Sequence, residues 1–197
     1  MCNRLLSLRR PGLGIIALAF AQNACAAFLD DSNVSLTARN FYLDRDYKGD
    51  TPYSAAREWA QGFILRANSG FTDGKVGLGI DATAMLGLKL DSSPDRTATQ
   101  LLAYNPVTRE AKDEYSELGL AVKAKISKSQ LSVGTLFPSL PVITASPARL
   151  LPQSFRGAYL VSDDLDRLTV HAGRIDRVNL RDSTDYQPIS LASPNGR

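Results

Sequence analysis

Hydrophobic and polar residues alternate along this chain with the two-residue period of a β-strand, most regularly between Lys75 and Asp91. Every even position from Val76 to Leu90 is apolar, whereas the odd positions hold glycine, charged residues, threonine and methionine. Such a strand presents one continuous hydrocarbon face and one small or polar face. It is about twice as long as the usual strand of a soluble protein, and roughly ten tilted residues cross a bilayer. The pattern therefore predicts a membrane-spanning strand of a β-barrel.

Six further segments repeat this pattern less regularly, and with the first they make about seven predicted strands. They are 33–44, 58–71, 116–126, 130–137, 155–162 and 168–175. Their connections alternate between tight turns (72–74, 127–129 and 163–166) and long polar stretches (45–57, 91–115, 138–154 and 176–197). Outer-membrane barrels have short periplasmic turns and long external loops. The rhythm therefore predicts an all-β, antiparallel, up-and-down transmembrane β-barrel, of which this chain holds a part.

The N-terminus has the features of a secretory signal peptide. Arg4, Arg9 and Arg10 precede an apolar run, 13–21, and a small-residue site ends at Ala26. We interpret residues 1–26 as a signal peptide and residues 27–197 as the N-terminal portion of the barrel. A lipoprotein signal at Cys25 is disfavoured because no apolar residue stands where that signal needs one, and the twin-arginine motif is disfavoured by the Pro-Gly that follows Arg10.

Removal of this peptide changes the composition that bears on function. Both cysteines and three of the 23 basic residues lie in the first 26 positions, so the remainder carries 20 basic and 20 acidic residues. The basic isoelectric point therefore gives no support for nucleic-acid binding. No long apolar run remains after cleavage, which excludes a helical membrane span and leaves a barrel or a soluble exported protein.

Several short motifs, in order, resemble the OprD family of outer-membrane porins of Gram-negative bacteria. They are the segments 27–32 (AFLDDS), 39–42 (RNFY), 57–63 (REWAQGF), 87–91 (GLKLD), 150–157 (LLPQSFRG), 171–174 (HAGR) and 180–183 (LRDS). The resemblance implies a monomeric barrel of eighteen strands, with the third external loop folded inward and a ladder of basic residues along one lumen wall. About seven strands cannot enclose a pore. We therefore expect a partial barrel, either a fragment or one completed by another chain.

The resemblance also implies a path for solutes. By strand parity, the lumen face holds the basic residues Arg39, Arg66, Lys89, Lys123, Lys125 and Arg156. We select Arg156, Lys123, Lys125 and Arg39 as the ladder, because weakly held guanidinium and ammonium groups attract carboxylates and release them. The alternative is that these groups pair with Asp81, Glu58 or Glu117 and only stabilise the wall. The third loop, 137–154, is proline-rich and apolar, and its candidate constriction residues are Phe137, Pro138, Pro141, Arg149 and Pro152.

The expected function is passive, substrate-specific diffusion of small carboxylate-bearing nutrients (amino acids, peptides or organic acids) across the outer membrane. The expected partners are anionic or zwitterionic solutes, outer-membrane lipid and the barrel assembly machinery, with no nucleic acid. We expect no enzyme activity, no cofactor and no metal. A soluble periplasmic β-sandwich that binds ligands is the alternative. A periplasmic hydrolase would depend on His171 alone, for which no nucleophile elbow is present.

Overall fold

The computed structural model describes residues 28–48 and 55–189, and these residues form an antiparallel β-structure. The proposed signal peptide lies outside the described residues. The strands are β1 (Asn33–Asp46), β2 (Ala55–Asn68), β3 (Gly77–Ser92), β4 (Glu114–Ile126), β5 (Ser129–Leu136), β6 (Ser139–Leu140), β7 (Ile143–Thr144), β8 (Ser154–Leu165), β9 (Leu168–Asn179) and β10 (Tyr186–Pro188).

Eight of these strands form one sheet in the order β1-β2-β3-β4-β5-β8-β9-β10, each antiparallel to its neighbours. The remaining two, β6 and β7, form a small hairpin between β5 and β8. The up-and-down meander predicted from the sequence is thus confirmed, and all seven predicted strands are present. The departures are this hairpin, β2, which spans Ala55–Asn68 rather than 58–71, the continuation of β8 to Leu165 into a stretch predicted to be a turn, the continuation of β9 to Asn179, and β10, which lies in a stretch predicted to be a loop. The end of β9 was not predicted because its polar residues, such as Arg177 and Asn179, do not give the hydropathy pattern of a strand.

The outer face of the sheet is apolar and uncovered. Leu36, Leu65, Ala84 and Leu118 stand opposite one another on β1 to β4 and form a continuous row. The leucines at its ends are 69% and 72% exposed. Rows of exposed leucine at successive register positions are the surface that a barrel turns toward lipid. The even positions of β3 lie on this face, as the alternation predicts.

The inner face is covered near one end by two long loops, 93–113 and 137–153. Buried residues from the strands (Ala60, Ile64, Met85 and Tyr115) pack there against buried residues from the loops (Leu101, Leu102, Ala103, Leu150 and Leu151). We call this set the inner core. Ile64 breaks the apolar parity of β2 in the sequence, and the inner core explains why, because its side chain faces inward into that cluster.

A buried carboxylate fastens the 93–113 loop to the wall. Glu58 on β2 accepts hydrogen bonds from the Thr99 backbone amide (3.1 Å), the Thr99 hydroxyl and the Ser92 hydroxyl (3.1 Å). A buried carboxylate needs such donors, since an unsatisfied charge in the interior is costly.

Among the described residues, no helix has the length and apolar character needed to cross a membrane.

Candidate functional site

Basic side chains on the inner face differ in how firmly the wall holds them. Lys123 on β4 is 7% exposed, and its Nζ donates to Asp81 Oδ1 at 2.6 Å and to the Ser69 carbonyl at 2.7 Å. Lys125, two residues along the same strand, is exposed and lies 5.7 Å from the ring centroid of Phe71. Lys123 is thus committed to a wall ion pair, while Lys125 faces the open space.

Arg39 on β1 contacts the 137–153 loop. Its Nη1 donates to the carbonyl oxygens of Pro147 (3.1 Å) and Arg149 (3.0 Å). Arg149 in turn donates from Nε to the carbonyl of Thr99 (3.1 Å), which links the two loops. The guanidinium group of Arg39 therefore ties the loop to the wall.

Two arginines stand opposite each other on β8 and β9. Arg156 pairs in register with Arg177 because the register shifts between Arg156 and Gly157, which leaves Asp176 as an extra residue. Both arginines are exposed, and the Arg156 guanidinium carbon lies 4.3 Å from the ring centroid of Tyr186. Sequence reasoning missed Arg177, since it lies beyond the predicted end of its strand.

A carboxylate completes this part of the wall. Glu117 on β4 accepts hydrogen bonds at Oε1 from the hydroxyls of Ser154 and Tyr186, both at 2.5 Å, and at Oε2 from the Asn179 amide at 2.7 Å. Thr135 Oγ1 lies 3.2 Å from the Tyr186 hydroxyl oxygen. Strands β4, β5, β8, β9 and β10 thus meet through one hydrogen-bonded cluster.

The five residues selected for the constriction lie at different depths in the 137–153 loop. Phe137 packs against the inner core beneath the Arg66 guanidinium, whose carbon lies 5.2 Å from its ring centroid. Pro138 is buried, and its carbonyl accepts from the Ala145 amide at 2.7 Å; Pro152 is also buried. Pro141 is exposed in the β6–β7 turn, and Arg149 is half-buried.

Burial and nearby charge shift two pKa values where this loop meets residues after β9. Burial raises the pKa of Asp182, against the opposing effect of Arg181 and Arg149. Burial also lowers the pKa of Arg149, with Arg181 as a further cause. Arg181 itself donates to the Gln100 side chain at 2.8 Å, so the residues after β9 also contact the 93–113 loop.

An apolar cavity of about 270 Å³ lies between the β6–β7 hairpin and the inner side of β8 and β9. Its lining includes Leu140, Ile143, Tyr159, His171 and Ile175. The Tyr159 hydroxyl and His171 Nδ1 are hydrogen-bonded at 2.7 Å, and their rings are nearly parallel. Gly157 pairs with Ile175 and the next position pairs Arg156 with Arg177, so the two arginines follow the Ile175 end of the cavity along the strands without lining it themselves. No group of acidic, cysteine and histidine residues in the described ranges has the geometry of a metal site.

Comparisons with known proteins give consistent results. The family model described as "outer membrane porin, OprD family" matches residues 26–196. The porin-like protein GalP of Pseudomonas putida is 36% identical over 181 residues, covering 92% of this chain and 44% of that protein. The crystal structure of OccK9 (OpdG) of Pseudomonas aeruginosa superposes with a TM-score of 0.83 at 42% identity, covering 87% of this chain and 44% of that one. The structure of Pseudomonas aeruginosa OpdK with vanillate gives 0.75 at 40% identity, with coverages of 83% and 41%. This chain thus spans less than half the length of the proteins that it matches.

Proposed function

The chain belongs to the OprD family of outer-membrane porins, and from that membership and its geometry we propose that it forms part of a pore wall for passive diffusion of small carboxylate-bearing nutrients. The family places the chain in the outer membrane. The open sheet has β1 at one edge and β10 at the other, and unpaired edges in hydrocarbon cost several kcal/mol per exposed backbone group. We therefore propose that the conducting barrel includes strands from outside the described residues.

The pairing of Arg156 with Arg177 carries this proposal. Two exposed guanidinium groups at opposed positions offer planar donors that match a carboxylate. Solvent contact keeps such binding weak enough for release, as conduction requires. Lys125 extends the basic path along β4, whereas Lys123 and Arg39 serve it indirectly by holding the wall and the loop.

The apolar cavity beside these arginines narrows the proposed solute class. A carboxylate bound at Arg156 and Arg177 would place the rest of a small organic acid against Leu140, Ile143 and Ile175. A cavity of about 270 Å³ accommodates a single ring, so we propose ring-bearing organic acids ahead of small polar amino acids. The presence of vanillate in the OpdK structure supports the same choice.

The 137–153 loop supplies the proposed constriction. Its apolar residues pack into the inner core, so the loop lies across the inner face rather than extending into solvent. We propose that Phe137, Pro138, Pro141, Arg149 and Pro152 shape the narrowest passage, with Phe137, Pro138 and Pro152 buried or half-buried as its support.

We further propose that the protein is not an enzyme, works without a cofactor or metal, and acts as a monomer inserted by the barrel assembly machinery. The hydrogen bond of His171 to Tyr159 supports a wall role for that histidine. A soluble β-sandwich is not favoured, because the leucine row on the outer face lacks a covering second sheet within the described residues.

The test is conductance and solute flux through the complete barrel that contains this sequence. We expect single-channel steps in planar bilayers, and benzoate flux into proteoliposomes faster than that of xylose, a neutral ring-shaped solute that crosses lipid only slowly. Arg156→Ala and Arg177→Ala should each lower benzoate flux by up to about fivefold, which corresponds to the upper value of about 1 kcal/mol for a solvent-exposed ion pair. Arg174→Ala is the matched control, since Arg174 lies on β9 like Arg177 but pairs with Ala158 on the outer face. Absence of channels, or equal effects at all three arginines, would refute the proposal.

A further inference from the structure

Glu117 is an acidic residue on a wall proposed to attract anions. Its carboxylate is oriented by three donors from three other strands, and two of these, the hydroxyls of Ser154 and Tyr186, converge on the same oxygen, Oε1. A negative charge at this place weakens carboxylate binding, so we expect Glu117 to have a second role that compensates for the repulsion.

The ring of Tyr186 connects this carboxylate to Arg156. The phenol hydroxyl donates to Glu117 at 2.5 Å, while the ring face lies 4.3 Å from the guanidinium carbon of Arg156. A guanidinium group over an aromatic face is held by the ring quadrupole and by stacking. Glu117 accepts the short hydrogen bond that fixes the hydroxyl end of Tyr186, whose oxygen also lies 3.0 Å from Ser154 Oγ and 3.2 Å from Thr135 Oγ1. Arg156 lies over the face of the ring.

We propose that Glu117 is a positioning residue for Arg156 and acts through the ring of Tyr186. The inference rests on the proposed function, since it concerns how the wall presents Arg156 to a carboxylate. Holding a long side chain in one orientation reduces the entropy lost when a solute binds. On this proposal, the affinity that Arg156 gains from being held in place offsets the affinity lost through the nearby negative charge.

The cluster allows the charge of Glu117 to be separated from its hydrogen bonds. In Glu117→Gln, the retained oxygen Oε1 still accepts from Ser154 and Tyr186. The new amide nitrogen would face Asn179, whose Oδ1 is buried without a hydrogen-bond partner among the described residues and can accept from it after rotation of the Asn179 amide. Glu117→Ala removes the charge and the acceptors together.

The two roles predict opposite results for Glu117→Ala, and they differ in whether the two variants behave alike. If Glu117 positions Tyr186, the benzoate concentration that gives half-maximal flux should be the same in Glu117→Gln as in the parent, or lower. In Glu117→Ala it should be about two- to fivefold higher, which corresponds to the loss of an exposed cation–π contact. If Glu117 acts only as an opposing charge, both variants should bind benzoate more tightly to the same extent.

A double-mutant cycle tests the connection through the ring. Tyr186→Leu should weaken benzoate binding as Glu117→Ala does, and should have no further effect in an Arg156→Ala background. Tyr186→Phe keeps the ring but loses the hydroxyl, so it should fall between the parent and Tyr186→Leu. Retention of the Tyr186→Leu effect without Arg156 would overturn the inference.

Folding and function are controlled separately. Each variant is first tested for resistance to unfolding in detergent and for single-channel steps with chloride alone. A parent barrel that folds but forms no channels would refute the proposed function. Variants that conduct but have the wrong order of benzoate affinities would refute only the role of Glu117. If Glu117→Ala does not fold, the Tyr186→Leu and Arg156→Ala cycle decides the question.

Discussion

Truncation of Leu150 is expected to release the 137–153 loop, with its β6–β7 hairpin, without unpairing any strand of the eight-stranded sheet. The Leu150 side chain is 0% exposed and packs in the inner core over Gly62 on β2. Leu150→Ala removes three buried carbon atoms and leaves a cavity, and comparable core substitutions cost roughly 3–5 kcal/mol. Because a glycine lies directly beneath, no side chain at position 62 can move to fill the space. We therefore take about 3 kcal/mol as the loss.

This loss should appear as local opening of the loop, because the sheet retains its own hydrogen bonds. Native-state hydrogen exchange of the complete barrel measures it at two amides, Gln153 N–H bonded to the Ser146 carbonyl and Ala145 N–H bonded to the Pro138 carbonyl. A loss of about 3 kcal/mol corresponds to exchange roughly a hundredfold faster. Leu131→Ala on the outer face is the control and should leave both rates unchanged.

A compensating substitution sharpens the experiment. A Cβ at position 62 would lie 2.9 Å from Leu150 Cγ, so Gly62→Ala alone overpacks the contact and should destabilise the loop. In the Leu150→Ala background, the same methyl group fills part of the cavity and should slow exchange. Unchanged exchange in Leu150→Ala, or an effect of Gly62→Ala with the same sign in both backgrounds, would refute the packing argument.

Two further predictions concern the outer face and the loops. Leu120→Arg, at the middle of β4, should cost roughly 2–4 kcal/mol in urea unfolding from lipid vesicles, whereas Ser132→Arg should cost far less, because Ser132 pairs with Lys123 and shares its inner face; equal losses would contradict the assignment of faces. Burial raises the pKa of Asp182, so the folded protein takes up this proton at a higher pH than the unfolded chain does. The contribution of Asp182 to stability should therefore increase as the pH is lowered toward the ordinary aspartate pKa of about 3.9, and Asp182→Asn should flatten that slope in unfolding measured as a function of pH; an unaltered slope would exclude Asp182 as its source.

The strands could be predicted from the sequence because lipid imposes a simple rule on them. Alternate residues from Val76 to Leu90 face hydrocarbon or the inner space, and hydropathy alone reports that difference. The rule fails where the environment of a face changes along the strand. Ile64 is apolar on the inner face because a loop covers it there.

The candidate site was less predictable, because its geometry depends on irregular pairing. The extra residue at Asp176 sets Arg156 opposite Arg177, and strand parity carries no information about such a shift. The role of Arg39 as a loop clamp depends on two backbone carbonyls more than a hundred residues away in sequence. Glu117 could be identified as a wall acid, but its link to Arg156 requires the ring of Tyr186, on a strand that hydropathy did not reveal.

The inner core determines how the width of the proposed passage can change between related proteins. The loop proposed to narrow the passage packs through its own Leu150 and Leu151 against Met85 on the wall, so its height above the wall depends on the volumes of these buried side chains. Interiors this closely packed respond to changes of a single methylene group. Volume-conserving exchanges among leucine, isoleucine and methionine in this core would therefore shift the loop and widen or narrow the aperture without releasing it. Selectivity among solutes of different girth can thus drift through conservative substitutions while every charged residue of the lumen stays the same.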